Sequence, residues 1–169
     1  LDYIKVNNLS IAGALLTHGH YDHALGLSMF DGHAYINLDD EFLARNPDEQ
    51  IKSFIGHDVD IEEYNGELKS IDTLNSDYII VHKNPGHTKG SVSYEFPNEG
   101  LIFTGDFVFK DSIGRTDLFS GSMDQMNTSL RETFLNFEEE FEILPGHGPS
   151  GKVRSIKNNN EYIKVLLND

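Results

Sequence analysis

The chain has 169 residues, which predicts a single domain over residues 1–169, and it carries 28 acidic against 13 basic residues for a formal net charge of -15. That balance argues against nucleic acid as a partner, because binding to phosphates relies on clustered lysine and arginine, and no apolar run suggests a membrane span or a membrane partner. The absence of cysteine excludes disulfides and thiolate metal sites, leaves only nitrogen and oxygen ligands for any metal ion, and fits a soluble, cytoplasmic protein.

In the first half of the chain, short apolar runs and amphipathic stretches alternate. The predicted elements are the end of a helix over 1–8, a buried strand over 11–17, a helix from Asp22 to Phe30, a short strand from His33 to Asn37, a helical turn or two from Asp39 to Arg45, and a connection over 46–66. The last of these rests on the Pro and Gly residues that interrupt the segment.

The second half is predicted to be richer in strands. They run from Tyr78 to Lys83, Ser91 to Phe96, Leu101 to Thr104 and Glu142 to Leu144, and helices are expected from Met123 to Phe137 and from Val153 to Leu167. This order contains neither a regular βαβ repeat nor a Rossmann fingerprint. It predicts an α+β protein in which helices cover the sheets.

Four metal-competent side chains crowd the end of the first predicted strand. The run THGHYDH contains His18, His20, Asp22 and His23 within six residues. Because side chains alternate along a strand, such an ending points alternate imidazoles the same way, and the turn that follows supplies the next carboxylate and imidazole. A polar loop or a tag-like histidine cluster is the alternative interpretation. We predict a site for two metal ions.

Three later strands end in a similar way. Each leads into a turn with glycine and a possible ligand: PGHT contains His87, TGD contains Asp106, and PGHGP contains His147. Any one of them is weak evidence, because a histidine in a Gly-Pro turn is more often a solvated loop residue. Four such strand ends are what a sheet needs to gather distant ligands at one edge, and glycine lets the backbone come close to the metal ions.

The motifs THGHYDH, PGHTKGS, TGD and PGHGP, in this order between Ile11 and Pro149, resemble the metal motifs of the metallo-β-lactamase fold superfamily. The stretch GDFVF followed by SIGRTD is similar to the small glyoxalase II-like hydrolases, and also to a stretch in persulfide dioxygenases. The resemblance implies an αββα sandwich. Members of the family begin with additional strands, so it also implies that this chain lacks the N-terminal strands and is N-terminally incomplete.

The resemblance further implies which residues form the site. Seven side chains would bind two divalent metal ions: His18, His20 and His87 the first, Asp22, His23 and His147 the second, and Asp106 both. Zinc is the favoured metal, with iron or manganese as alternatives. A hydroxide bridging the two ions would attack a carbonyl, and Asp22 would orient that water or accept its proton as the catalytic residue.

Two further residues are expected to support this site. Arg115 and Asp117 follow Asp106 closely, and the family resemblance favours a role in bracing that loop behind the ligands over a simple surface ion pair. The three remaining histidines, His33, His57 and His82, match no motif and are interpreted as structural or surface residues.

Three functions follow as hypotheses. The first is a glyoxalase II-like hydrolase acting on a small-molecule thioester or ester. The expected substrate is S-lactoylglutathione, hydrolysed inefficiently. Glyoxalase II itself resembles this chain in its catalytic domain but adds a C-terminal helical domain that binds glutathione, and the 20 residues after Pro149 contain no counterpart of it. The second is a mononuclear iron persulfide dioxygenase, suggested by the run from Gly114 to Asp117. The third is a metal-binding module without turnover. The oligomeric state is not predicted.

Overall fold

Two β-sheets lie face to face, and helices cover the outer side of each, in the computed structural model of the protein, which describes residues 2–29, 32–61 and 64–168. In these ranges the α-helices are α1 Asp2–Val6, α2 Tyr21–Ala24, α3 Glu41–Arg45, α4 Pro47–Ile55, α5 Met123–Glu132, α6 Val153–Asn159 and α7 Glu161–Asn168. Short 3-10 helices lie at Leu25–Met29, Leu38–Asp40, Ile71–Thr73 and Phe134–Asn136.

The described strands form one parallel and one mixed sheet. They are β1 Ala14–Leu15, β2 Ala34–Ile36, β3 Leu68–Ser70, β4 Ile80–Lys83, β5 Val92–Phe96, β6 Leu101–Gly105, β7 Glu142–Pro145 and β8 Gly151–Lys152. The first three make a parallel sheet in the order β1-β2-β3, and the other five a sheet in the order β4-β5-β6-β7-β8. In the larger sheet only β6 and β7 pair in parallel. These two strands therefore end at the same edge, where Asp106 and His147 follow them.

Three apolar clusters correspond to the three interfaces between the four layers. On β2, Ala34 and Ile36 lie in the cluster under the helices of the small sheet, whereas Tyr35 points into the cluster between the sheets. On β5, Val92 and Tyr94 point into that same inter-sheet cluster. The third cluster lies between the large sheet and helices α5 to α7. The alternation of side chains along each strand thus feeds two interfaces at once, which confirms the predicted αββα sandwich.

The predicted strand over 11–17 is much shorter in the structure. Pairing with β2 covers only Ala14 and Leu15, opposite Ala34 and Tyr35, and Ile11 is 44% exposed. An apolar run does not reveal whether a partner strand accompanies it along its whole length. The prediction of a buried strand from residue 11 was therefore wrong in extent, although the strand does lead into the histidine motif.

The prediction that residues 46–66 form a connection was wrong. The segment contains helix α4. Pro47 lies in the first turn of this helix, where its missing N–H removes no intrahelical hydrogen bond. Gly56 ends the helix with a left-handed φ of 79°. Here Pro and Gly are the start and stop signals of a helix rather than loop residues.

The predicted final helix is divided into α6 and α7 at Asn160, which is fully buried. Its side-chain amide donates to the carbonyl oxygens of Phe109 and Ser112 at 3.1 and 2.8 Å, and its side-chain oxygen accepts from the N–H of Tyr162 at 3.0 Å. A side chain that bonds to the backbone in this way competes with helix continuation, so two helices form.

The other predicted elements are confirmed with adjusted ends. The helix from Met123 is α-helical only to Glu132 and becomes a 3-10 helix at Phe134–Asn136, and the helix after the histidine motif does so at Leu25–Met29. Phe30 lies outside the described residues. Strands β3 and β8 were not predicted. Among the described helices, none has the length and apolar character to cross a membrane.

Candidate metal centre

The seven predicted ligands converge at one edge of the sandwich. Their ligand atoms form three overlapping groups, and within each group these atoms lie within 4.8 Å of one another. The groups are His18, His20 and His87; His18, His23 and Asp106; and Asp22, His23 and His147. They come from the end of β1, from α2, and from the loops after β4, β6 and β7. The sheet topology therefore assembles side chains that are up to 129 residues apart, from His18 to His147, into one cluster.

The first group is deeply buried. His18, His20 and His87 are 1%, 8% and 3% exposed. The Nδ1 atom of His20 lies 2.8 Å from the Nε2 atom of His87, and the ring centroids of His18 and His87 are 4.8 Å apart. Three imidazoles packed this tightly cannot all be protonated, because their charges would repel one another without solvent to screen them.

The second group faces solvent. The Nε2 atom of His147 lies 3.0 Å from Oδ2 of Asp22, and that same oxygen is 3.7 Å from Nε2 of His23. The side chain of His147 is 56% exposed and that of Asp22 37%. This half of the centre is therefore the one that a small molecule can reach.

Asp106 lies between the two groups. Its Oδ1 atom is 3.3 Å from Nε2 of His23, while its Oδ2 atom is 3.6 Å from Nε2 of His87 and 3.5 Å from Nε2 of His147. One carboxylate thus contacts both the buried and the exposed group, which is the arrangement that a shared ligand requires.

Two of the imidazoles have hydrogen-bond partners on their far nitrogen atoms. The Nδ1 atom of His18 is 3.2 Å from the hydroxyl oxygen of Thr17, and the Nδ1 atom of His87 is 2.7 Å from the backbone carbonyl oxygen of Arg115. The carbonyl can only accept, so His87 carries its proton on Nδ1 and directs the lone pair of Nε2 into the centre.

Burial and mutual repulsion keep the inner imidazoles neutral. Burial is the largest cause that lowers the pKa of His18 well below its usual value, and with His87 it lowers the pKa of His20 to about 4. The pKa of His87 is lowered as well, mainly by burial. For His23, burial acts in the same direction, but the contacts with Asp106 and Asp22 outweigh it and raise the pKa. Neutral imidazoles are the form that binds metal ions.

Three buried atoms in the centre make no well-formed hydrogen bond within the described part of the chain: Nε2 of His18, Nε2 of His23 and Oδ1 of Asp106. The last two lie 3.3 Å apart, as an ion-pair contact. Buried polar atoms in folded proteins nearly always have partners, so these three mark a place for a ligand. Imidazole nitrogen and carboxylate oxygen are donors that suit zinc, iron and manganese, and the donor set therefore fits divalent metal ions.

The metal-free protein is expected to lose stability as the pH falls from about 6.5 towards 4. In this window the unfolded chain protonates His18, His20 and His87, whose ordinary pKa is 6.5, whereas the folded chain keeps them neutral. The raised pKa values of His23 and Asp40 act in the opposite direction but are two groups against three. Urea unfolding of chelator-treated protein across this pH range measures the effect.

The exposed His57 lies outside the cluster, so a His57→Gln variant should keep the same pH dependence as the wild type. A free energy of unfolding that rises as the pH falls would contradict the assignment of neutral inner imidazoles.

Arg115 and Asp117, which were predicted to brace the loop after Asp106, are exposed and interact with each other. The guanidinium of Arg115 donates to both carboxylate oxygens of Asp117 at 2.8 Å, and this contact lowers the pKa of Asp117 to about 2. What reaches the centre is the backbone carbonyl of Arg115, which contacts His87. The role of the two side chains in holding this loop stays a prediction. His33, His57 and His82 lie outside the three ligand groups.

The sequence patterns did not reveal Asp40. This fully buried carboxylate accepts hydrogen bonds from the backbone of both loops that carry the buried histidines. Its only signal in the sequence is an Asp-Asp pair after a short strand, which also occurs in many surface turns.

Comparison with known proteins agrees with this geometry. The family described as the Metallo-beta-lactamase superfamily matches residues 1–147. A probable metallo-hydrolase from Streptococcus pyogenes serotype M6 is 32% identical over 170 residues, covering 94% of this chain and 73% of that protein. Hydroxyacylglutathione hydrolase GloC from Haemophilus influenzae is 29% identical over 171 residues, covering 95% and 79%. The crystal structure of BLEG-1 B3 metallo-beta-lactamase superposes with a TM-score of 0.82 at 27% identity, covering 96% and 81%.

Proposed function

The chain belongs to the metallo-beta-lactamase superfamily, and we propose that it is a metal-dependent hydrolase that cleaves a small-molecule thioester or a related ester. The observation that carries this proposal is the convergence of the three ligand groups, joined by Asp106, at one edge of the sandwich. The names of two relatives agree with the class: one is a probable metallo-hydrolase and another a hydroxyacylglutathione hydrolase.

We assign the ligands to two divalent ions. His18, His20 and His87 would hold the first ion, and Asp22, His23 and His147 the second, with Asp106 shared between them. When bound, such ions lower the pKa of a coordinated water to roughly 7 and polarise a carbonyl group. Zinc is the favoured metal on donor chemistry, with iron or manganese as alternatives.

The protein's own contribution is to position groups and to handle protons. Asp22 is the carboxylate on the exposed side, and its Oδ2 atom is within 3.0 Å of His147 and 3.7 Å of His23. We assign to Asp22 the orientation of the attacking water and the acceptance of its proton, since this carboxylate lies at the solvent-facing half of the centre where water and substrate meet.

The burial of the centre sets the direction of approach. His18, His20 and His87 are buried, whereas Asp22 and His147 are open to solvent. The carbonyl carbon of the substrate would therefore arrive beside Asp22 and His147, and the thiolate or alkoxide would leave towards solvent. A thioester is the leading substrate because of the hydroxyacylglutathione hydrolase relative.

Metal analysis of the purified protein, paired with activity assays, tests the proposal. We expect two metal ions per chain and hydrolysis of S-lactoylglutathione or simpler acyl thioesters and esters, followed spectroscopically. Because the ions activate the water, removing them with a chelator should abolish hydrolysis, and adding zinc, iron or manganese back should restore it.

Oxygen uptake with glutathione persulfide is measured on the same preparations. One iron ion per chain together with oxygen uptake would indicate a persulfide dioxygenase instead of a hydrolase. Bound metal without turnover in any of these assays would leave a metal-binding module, and either result overturns the proposal.

A further inference from the structure

A buried carboxylate outside the ligand set joins the two loops of the inner histidines. Asp40 is 0% exposed and lies in the 3-10 helix Leu38–Asp40, directly before α3. Its Oδ2 atom accepts hydrogen bonds from the N–H of Gly19 at 2.9 Å and from the hydroxyl of Thr88 at 2.6 Å. Its Oδ1 atom accepts one from the N–H of Gly90 at 2.8 Å.

The positions of these donors connect Asp40 to the centre. Gly19 stands between His18 and His20, while Thr88 is the residue after His87. The loops that carry His20 and His87 come from opposite sheets, yet their ring nitrogens lie 2.8 Å apart. In the described structure Asp40 is hydrogen-bonded to both loops at once. Its bonds lie next to His20 and His87, whose separation decides whether the two can bind the same ion.

The close approach depends on glycine on both sides. A Cβ atom at Gly90 would lie 2.5 Å from the Cγ atom of Asp40, and one at Gly19 would lie 2.6 Å from its backbone oxygen. Such distances are too short for any side chain. The close packing of Asp40 against the two loops therefore requires glycine at both positions, and the position of Asp40 between the loops is tightly constrained.

The hydroxyl groups of Thr88 and Ser91 fix the direction of the hydrogen bond between Thr88 and Asp40. The oxygen of Ser91 accepts from the N–H of Thr88 at 3.1 Å and lies 2.8 Å from the hydroxyl oxygen of Thr88. Asp40 is ionised as an acceptor of three bonds, so Thr88 donates to Asp40 and Ser91 donates to Thr88. Burial raises the pKa of Asp40, and the three donors counteract that effect.

We propose that Asp40 is a positioning residue that holds the loops of His20 and His87 at the separation required by the buried metal ion. The inference rests on the proposed metal centre, to which it adds a residue that touches neither metal nor substrate. A role in folding alone would lower the stability of the protein without changing how tightly the folded protein binds metal.

The test is an Asp40→Asn variant of the full chain, with Asp39→Asn as the matched control. Asparagine keeps the shape but directs an NH₂ group at one of the N–H donors, so one loop loses its acceptor. We expect Zn²⁺ binding to the folded protein to weaken about 10- to 100-fold, measured by competition with a chromophoric chelator, and the Co²⁺ absorption spectrum to change. Within the described residues the side chain of Asp39 makes an exposed ion pair with Lys89, a contact of little energetic weight, so Asp39→Asn should retain wild-type affinity and spectrum.

A second pair of variants keeps the test valid if Asp40→Asn does not fold. Thr88→Val fills the same volume without the hydroxyl and should weaken Zn²⁺ binding about tenfold or more, the effect of one hydrogen bond to a charged group. Thr88→Ser retains the hydroxyl and should restore the affinity. Unchanged Zn²⁺ affinity in both Asp40→Asn and Thr88→Val would overturn the inference while leaving the proposed function intact. A wild-type protein that binds no divalent metal would overturn both.

Discussion

An Asp106→Ala variant is expected to have no measurable turnover and to retain fewer metal ions than the wild type. The carboxylate contacts His23 through one oxygen and His87 and His147 through the other, so its loss removes the group common to the buried and exposed halves. It also leaves His23 without its closest carboxylate partner. Metal content by elemental analysis and thioester hydrolysis, measured on the same sample, give the result.

Two comparisons make this expectation specific. Asp111→Ala removes an exposed carboxylate a few residues further along the chain and should behave as wild type. Asp22→Asn removes the carboxylate on the solvent side, and there turnover should fall more than metal content, because Asp106 still contacts both groups. Near wild-type activity in Asp106→Ala would refute the assignment of a shared ligand.

A Gly146→Ala variant is expected to lose at least about tenfold in metal affinity, with a corresponding loss of turnover. A Cβ atom at this position would overlap Oδ1 of Asp106 and lie 2.5 Å from the Cε1 atom of His23. Both side chains would have to move, and each has an atom, Oδ1 of Asp106 and Nε2 of His23, that makes no well-formed hydrogen bond in the described structure. Titration with zinc in the presence of a competing chelator measures the affinity.

Gly26→Ala is the matched control, since a Cβ atom there would meet nothing within 4 Å and the residue lies just after the histidine motif. It should bind metal as the wild type does. If Gly146→Ala bound zinc equally well, then the loop after β7 would have room that the structure does not show, and His147 would lie elsewhere in the metal-bound protein.

The histidine motif and the three later strand ends were recognisable because they combine two short-range signals. An apolar run followed by glycine and a ligand residue is local, and it recurs at His87, Asp106 and His147. The strands β5, β6 and β7 were predicted to within a residue or two for the same reason, since strand propensity and alternation can be detected over five residues.

Some features were missed. Helix α4 runs over Pro47–Ile55, and the Pro at its start and the Gly56 that caps its end also occur in turns, so they did not identify a helix. The break at Asn160 exists because its side chain bonds to carbonyl groups about 50 residues away, at Phe109 and Ser112. No local pattern contains that information.

The sequence by itself determined the donor chemistry of this protein: histidine and aspartate at four strand ends, without cysteine, and an α+β order of elements that resembles one superfamily. Only the tertiary structure decided the exposure of these donors, with His18, His20 and His87 buried, Asp22 and His147 open to solvent, and Asp106 in contact with both groups. It also revealed Asp40. The physical reason is that residue type is a local property, whereas burial and the separation of two side chains depend on how two sheets and their helices pack together.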